Sequence, residues 1–153
     1  MYDSEVEIVP LRDVIAKPLS DRDSFVLVVD DDELCAELSA RTLLKAGYVV
    51  MMAYDAESAL QLAKLAPPIL LVADIGLGPA KNGVELAIRL RSLIPDCKVL
   101  FFSGHADALG LVRQAQARGF DFPLLQKPAS MTDLLDEVCK VLSPKCLDAV
   151  GKG

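Results

Sequence analysis

No apolar run in the sequence approaches the roughly 20 residues that a membrane-spanning helix needs. Nor do its Lys and Arg residues gather into a block, and the formal net charge is −6. Phosphate contacts need a basic patch, so a general nucleic-acid surface is excluded. Histidine is scarce too. With a single His, and with Cys35, Cys97, Cys139 and Cys146 forming no Cys-x-x-Cys pattern, a Cys/His zinc site or redox motif lacks its residues. The cysteines read as four free thiols, at least three of them behaving as small hydrophobes in a reducing compartment. The N-terminus lacks the positive charge of a secretory signal and carries Asp3, Glu5 and Glu7 instead. A cytoplasmic location is the expectation. There is no internal repeat and no low-complexity tract.

What is present suits one folded domain: 153 residues, of which 52% are hydrophobic, enough for a real core. Strand-like runs cover Phe25–Val29, Tyr48–Ala53, Ile69–Ala73, Lys98–Phe102 and Phe122–Leu125. Helical periodicity fills the intervals. In the first interval Leu34, Cys35, Leu38, Thr42 and Ala46 share a stripe that Gly47 stops. In the last, Met131, Leu134, Leu135, Val138 and Leu142 do so, and Ser130 with Asp133 resembles a capping box. The fourth helix, about residues 107–118, has the weakest stripe and contains Gly110, so it is expected to be the softest.

Five strands alternating with five helices predict an α/β fold, a parallel sheet with helices on both faces. The runs VLVV, ILLVA and KVLFF are apolar throughout, as the buried centre of such a sheet requires. The domain spans residues 25–142. Residues 1–24 form an extension, for which a packed extra element and a loose segment are equally open readings, and residues 143–153 read as a disordered tail.

In an open parallel sheet, ligands sit beyond the carboxyl ends of the strands. Strand one is followed by Asp30, Asp31 and Asp32, strand three by Asp74, strand four by Ser103 and Gly104, and strand five by Lys127 and Pro128. Ionised Asp30, Asp31 and Asp74 together with the Lys127 ammonium leave two net negative charges. A divalent, oxygen-seeking cation balances them, and Mg²⁺ fits best because it takes few protein carboxylates and keeps its waters. Asp32 reads as a helix N-cap.

The segments "VVDDDE", "VADIGL" followed by "NGVELA", "FFSGHA" and "LLQKP" arrive in an order and spacing that resemble the response regulator receiver domain of two-component signalling, across about residues 25–142. The resemblance implies the doubly wound, flavodoxin-like (βα)5 fold with strand order 2-1-3-4-5. It implies Asp74 as phosphoacceptor, and Mg²⁺ held by Asp31, Asp74 and the Gly76 carbonyl, with Asp30 helping through water. Ser103 and Gly104 would meet the phosphoryl group, Lys127 would pair with its oxygens, and the Lys127–Pro128 peptide would be cis. Its partners would be a histidine kinase or histidine phosphotransfer protein and a downstream protein, with no nucleic acid or membrane. The chain would be a monomer or weak homodimer, not an enzyme that turns over an external substrate. The short stretch after the last helix leaves no output domain to expect, so a stand-alone receiver is implied.

Three features depart from the family pattern. The loop "DIGLGPAKNG" is longer than usual, with Gly76, Gly78 and Gly83 and a shifted Pro79. Leu124 stands where many relatives have a Tyr or Phe that turns inward on switching. His105 stands two residues past Ser103, a position that in the family overlooks the phosphoryl group, and is a candidate for tuning hydrolysis. The competing reading is a receiver-like interaction module that no longer switches. A Mg²⁺-dependent phosphatase would need an Asp-x-Asp pair in one loop and a cap insertion, and the sequence has no cap.

Overall fold

The computed structural model describes residues 25–78 and 83–142. The expectations about the N-terminal extension, the C-terminal tail, Pro79 and Cys146 lie outside the described residues.

The chain alternates strand and helix: β1 (Phe25–Val29), α1 (Glu33–Lys45), β2 (Val49–Ala53), α2 (Ala56–Leu65), β3 (Leu70–Ala73), α3 (Gly83–Leu93), β4 (Lys98–Ser103), α4 (Ala108–Ala117), β5 (Leu124–Gln126) and α5 (Met131–Leu142). The strands form one parallel sheet in the order β2-β1-β3-β4-β5. β1 and β3 are buried at every position, which is why their sequences are apolar on both faces.

Alternation along β1 divides the core. Phe25, Leu27 and Val29 face α2, α3 and α4, while Val26 and Val28 face α1 and α5. Each fully buried Leu or Val contributes about 1.5–3 kcal/mol.

Helix α5 follows its predicted stripe, burying Leu134 and Val138. Its capping box is complete: the Asp133 amide donates to Ser130 Oγ (3.0 Å) and the Ser130 amide to Asp133 Oδ2 (3.1 Å). Helix α4 buries only Ala108 and Ala115, in keeping with its weak stripe.

Helix α1 corrects the sequence reading. Its buried face is Ala36, Ser39, Ala40 and Leu43, while Leu34 is 75% and Leu38 51% exposed. Small residues let the helix approach the sheet closely, and the Asp32 cap fixes its rotation. Leucine content alone pointed to the wrong stripe.

Strand β5 is also shorter and later than its apolar run. Phe122 is buried but precedes the strand, its ring edge-on to Phe101 and stacked with Phe120. Pro123 has no amide to donate; its carbonyl accepts from the Phe101 amide (2.9 Å), and pairing starts at Leu124. Of the described cysteines, all free thiols, only Cys97 is a core residue; Cys35 is half-buried and Cys139 exposed.

Candidate functional site

The strand order reverses between β1 and β3, which opens a crevice at their carboxyl ends. Register fills it. Val29 pairs with Ala73, so the next residues, Asp30 and Asp74, leave the sheet side by side. The Asp74 amide still donates to the Val29 carbonyl (3.0 Å), and the Asp30 amide to that of Ala53 (3.2 Å). Each backbone is thus held by its neighbouring strand while its side chain projects over the rim.

Carboxylate oxygens of Asp30, Asp31 and Asp74 lie within 4.8 Å of one another. Three hard oxygen donors gathered this closely suit a divalent, oxygen-seeking cation such as Mg²⁺ in their chemistry.

Lys127 and Ser103 close the site from the other side. Ser103, buried at the end of β4, donates its hydroxyl to Asp74 Oδ1 (2.5 Å). The Lys127 amide donates to the Ser103 carbonyl (2.9 Å), and its ammonium donates to Asp30 Oδ2 (3.0 Å). The ammonium also lies 5.0 Å from the centre of the Phe102 ring. The Lys127–Pro128 peptide is cis.

The charges are balanced against burial. Burial pushes the Asp30 carboxyl above its ordinary value, outweighing the Asp32 amide and Lys127, which favour ionisation. Burial alone would lower Lys127, but the bond and charge of Asp30, with Asp74 behind it, leave the ammonium more basic than usual. Asp32 takes no part in the cluster. It caps α1, accepting from the Leu34 and Cys35 amides (3.0 and 3.3 Å), and these bonds, that from Cys35 foremost, lower its carboxyl.

The remaining candidates fall around this cluster. The Gly76 amide donates to Asp74 Oδ1 (3.2 Å) and the Gly78 amide to Asp31 Oδ2 (3.1 Å), so the loop after β3 is tied to both acids. Gly104 packs on the Lys127 stem, where an added Cβ would stand 3.4 Å from Lys127 Cβ. The His105 ring lies across Gly76 and accepts from the Asp107 amide through Nδ1 (3.0 Å). Leu124 is half-buried in β5 against the α2–α4 side of the core.

In the sequence Gly83 stands out only as one of three glycines in the lengthened loop. A Cβ there would meet the Asp74 carbonyl oxygen at 2.3 Å and Ile75 Cα at 2.6 Å. The first turn of α3 presses against the backbone that carries Asp74, and only glycine fits. The Asn-Gly step entering an apolar helix was the available signal. Phe102 beneath Lys127 was the other residue missed.

An acid cluster, a buried hydroxyl and a lysine are gathered over the switch point of a five-stranded doubly wound sheet, where ligands of such sheets bind. Residues 26–139 match the family model described as the response regulator receiver domain, and the chain belongs to that family. It is 34% identical over 117 residues to the response regulator receiver protein CpdR of Brucella abortus, covering 76% of this chain and 95% of that protein. A CheY-like receiver domain protein from Methanospirillum hungatei superposes with a TM-score of 0.71 at 27% identity, covering 82% of this chain and 98% of the other. A Burkholderia pseudomallei response regulator, crystallised with a phosphorylated aspartic acid, calcium ion and citrate, does so at 0.67 and 31% identity, covering 85% and 72%. The chain spans only about half the length of several other curated relatives, among them the transcriptional activator protein ExaE of Pseudomonas putida and the response regulator MprA of Mycobacterium ulcerans. Members of the family are signalling proteins of two-component systems rather than substrate-turnover enzymes. Among the described residues, no helix is long and apolar enough to cross a membrane.

Proposed function

We propose that this chain is a switching receiver that accepts a phosphoryl group on Asp74 from a phosphohistidine donor, with Mg²⁺ bound, and then changes a protein contact or relays the phosphate. The observation that carries the reading is the convergence of Asp30, Asp31, Asp74, Ser103 and Lys127 from four strand ends on one crevice.

A carboxylate oxygen of Asp74 attacks phosphorus, the donor's N–P bond breaks, and the imidazole keeps that electron pair and takes up a proton. Asp31, Asp74 and the Gly76 carbonyl would hold Mg²⁺, with Asp30 helping, and the ion would supply positive charge against the phosphoryl oxygens. Lys127 leaves Asp30 for a phosphoryl oxygen, and the Ser103 hydroxyl turns from Asp74 to another. Gly104, without a side chain, keeps the approach open. His105, lying on Gly76, limits how water reaches the acyl phosphate.

Both moves break bonds of the unphosphorylated site, at 3.0 Å and 2.5 Å, so the modification biases two arrangements of β4 and β5. Leu124 occupies β5 in place of an aromatic switch, so the signal passes without a ring swing. Exposed Leu34 and Leu38 lie on α1 just beyond the acids and give a histidine kinase or phosphotransfer protein an apolar surface.

The test is incubation with a small-molecule phosphodonor and Mg²⁺, followed by intact mass. One added phosphate is expected, absent in Asp74→Asn and without Mg²⁺. No addition under any donor would leave the interaction module, the reading that Leu124 and the lengthened loop favour.

A further inference from the structure

Helices α2 and α3 lie side by side on one face of the sheet. A groove of about 280 Å³ runs between them, lined by Leu60, Lys64, Ile88, Arg89, Ser92 and Leu93. Leu60 and Ile88 make an apolar floor, but the mouth is open: Leu93 is 52% exposed, and Leu65 beside Lys64 is 57% exposed. Lys64 and Arg89 stand exposed at the groove and form none of the ion pairs found among the described residues. An apolar slot with two cations at its rim, neither in an ion pair among the described residues, fits a segment that is apolar on one side and acidic on the other.

The chain contains such a segment in residues 3–9, Asp-Ser-Glu-Val-Glu-Ile-Val, which lie outside the described residues. In an extended stretch Val6 and Ile8 fall on one side, Glu5 and Glu7 on the other. Long Lys and Arg side chains reach past an apolar contact to meet such carboxylates.

The chain enters the sheet at the right place. The Ile69 amide donates to the Phe25 carbonyl (2.8 Å), and the Lys98 amide to that of Ile69 (2.9 Å). The start of β1 therefore sits beside the segments that leave α2 and α3. Phe25 also joins the same core cluster as Leu60 and Ile88. Residues 10–24 reach up to about 50 Å when extended. A flexible tether of that length would hold the segment at an effective concentration of order millimolar, enough to favour even a weak site.

We propose that residues 3–9 dock in the α2–α3 groove of their own chain, Val6 and Ile8 against Leu60, Ile88 and Leu93, with Glu5 and Glu7 paired to Lys64 and Arg89.

The experiment is backbone NMR relaxation on the isotope-labelled full chain. Residues 3–9 are expected to show order parameters above about 0.6, the upper edge of flexible backbone. They should fall below it in Lys64→Glu/Arg89→Glu, and equally in Glu5→Lys/Glu7→Lys, which touches no core residue. Combining all four reversals should restore the ordered values and the Leu60, Ile88 and Leu93 amide shifts. Flexible residues 3–9 in the unaltered chain, or charge reversals without effect on segment and groove alike, would overturn the proposal. So would effects that disappear on dilution, which would assign the groove to another copy's segment.

Discussion

Two glycines in helices should respond to the same substitution with opposite signs. Neither Gly83 nor Gly110 has a positive φ. In a helix interior alanine is favoured over glycine by about 0.8–1.0 kcal/mol. At Gly110, in α4, an added Cβ meets nothing within 4 Å, so Gly110→Ala should gain most of that amount. At Gly83 the same atom would stand 2.3 Å from the Asp74 carbonyl oxygen, 2.6 Å from Ile75 Cα and 2.8 Å from the Ile75 carbonyl oxygen. Ordinary carbon–oxygen contacts begin near about 3.3 Å. All three neighbours are backbone, so none can swing away. Helix α3 must retreat, which strains its packing by about 1–3 kcal/mol. It also loses the bond from the Gly83 amide to the Ile75 carbonyl (3.0 Å), worth about 1 kcal/mol. Offset by the gain in propensity, Gly83→Ala should destabilise by about 1–3 kcal/mol. Urea unfolding with linear extrapolation measures both variants, with m unchanged if the fold is kept. Because the clash lies on the Asp74 backbone, phosphorylation of Gly83→Ala should fall as well. If Gly83→Ala stabilised the protein as Gly110→Ala does, the close approach of α3 to β3 would be wrong.

Two further outcomes follow from the charges. Mg²⁺ at about a hundredfold above its Kd should raise the unfolding free energy by about 2.7 kcal/mol, and Asp31→Asn should remove most of that rise. Without metal, Asp31→Asn should be no less stable than the parent, since one of three crowded carboxylates is gone. Calorimetry across a Mg²⁺ titration decides it, and a rise that survives Asp31→Asn refutes the cluster as the metal site. At Cys97, burial pushes the thiol from 9.0 to about 12. A raised folded-state value means the native protein holds this proton more tightly than the unfolded chain. The contribution is complete below about pH 9 and declines as pH rises toward 12, by about 1–2 kcal/mol at pH 10. The alkaline loss of stability should be shallower by that amount in Cys97→Ala; equal slopes would remove Cys97 from the account.

Strands and acids were legible in the sequence because both are local signals. An apolar run that is buried on both faces can hardly be anything but a central strand, and Asp30 and Asp74 follow such runs directly. The capping box of α5 was legible for the same reason. Helix α1 was not. Its Leu34 and Leu38 suggested one stripe, but close packing against the sheet selected Ala36, Ala40 and Leu43, a choice that depends on distances no local pattern encodes. Phe122 looked like part of a strand, yet its burial comes from two other rings and Pro123 delays the pairing. Gly83 matters through contact with a residue on another element, which one sequence does not reveal.

The bond from Lys127 to Asp30 joins residues separated by 97 positions, the last strand reaching back to the first. On the ribosome, at about 5–20 residues per second, the acids emerge about 5–20 s before their counter-charge is made. A nascent chain therefore carries an uncompensated anionic rim until its final strand docks. The cluster gains its balancing ammonium only with completion of the sheet, so an unfinished molecule presents acids whose partner has yet to arrive.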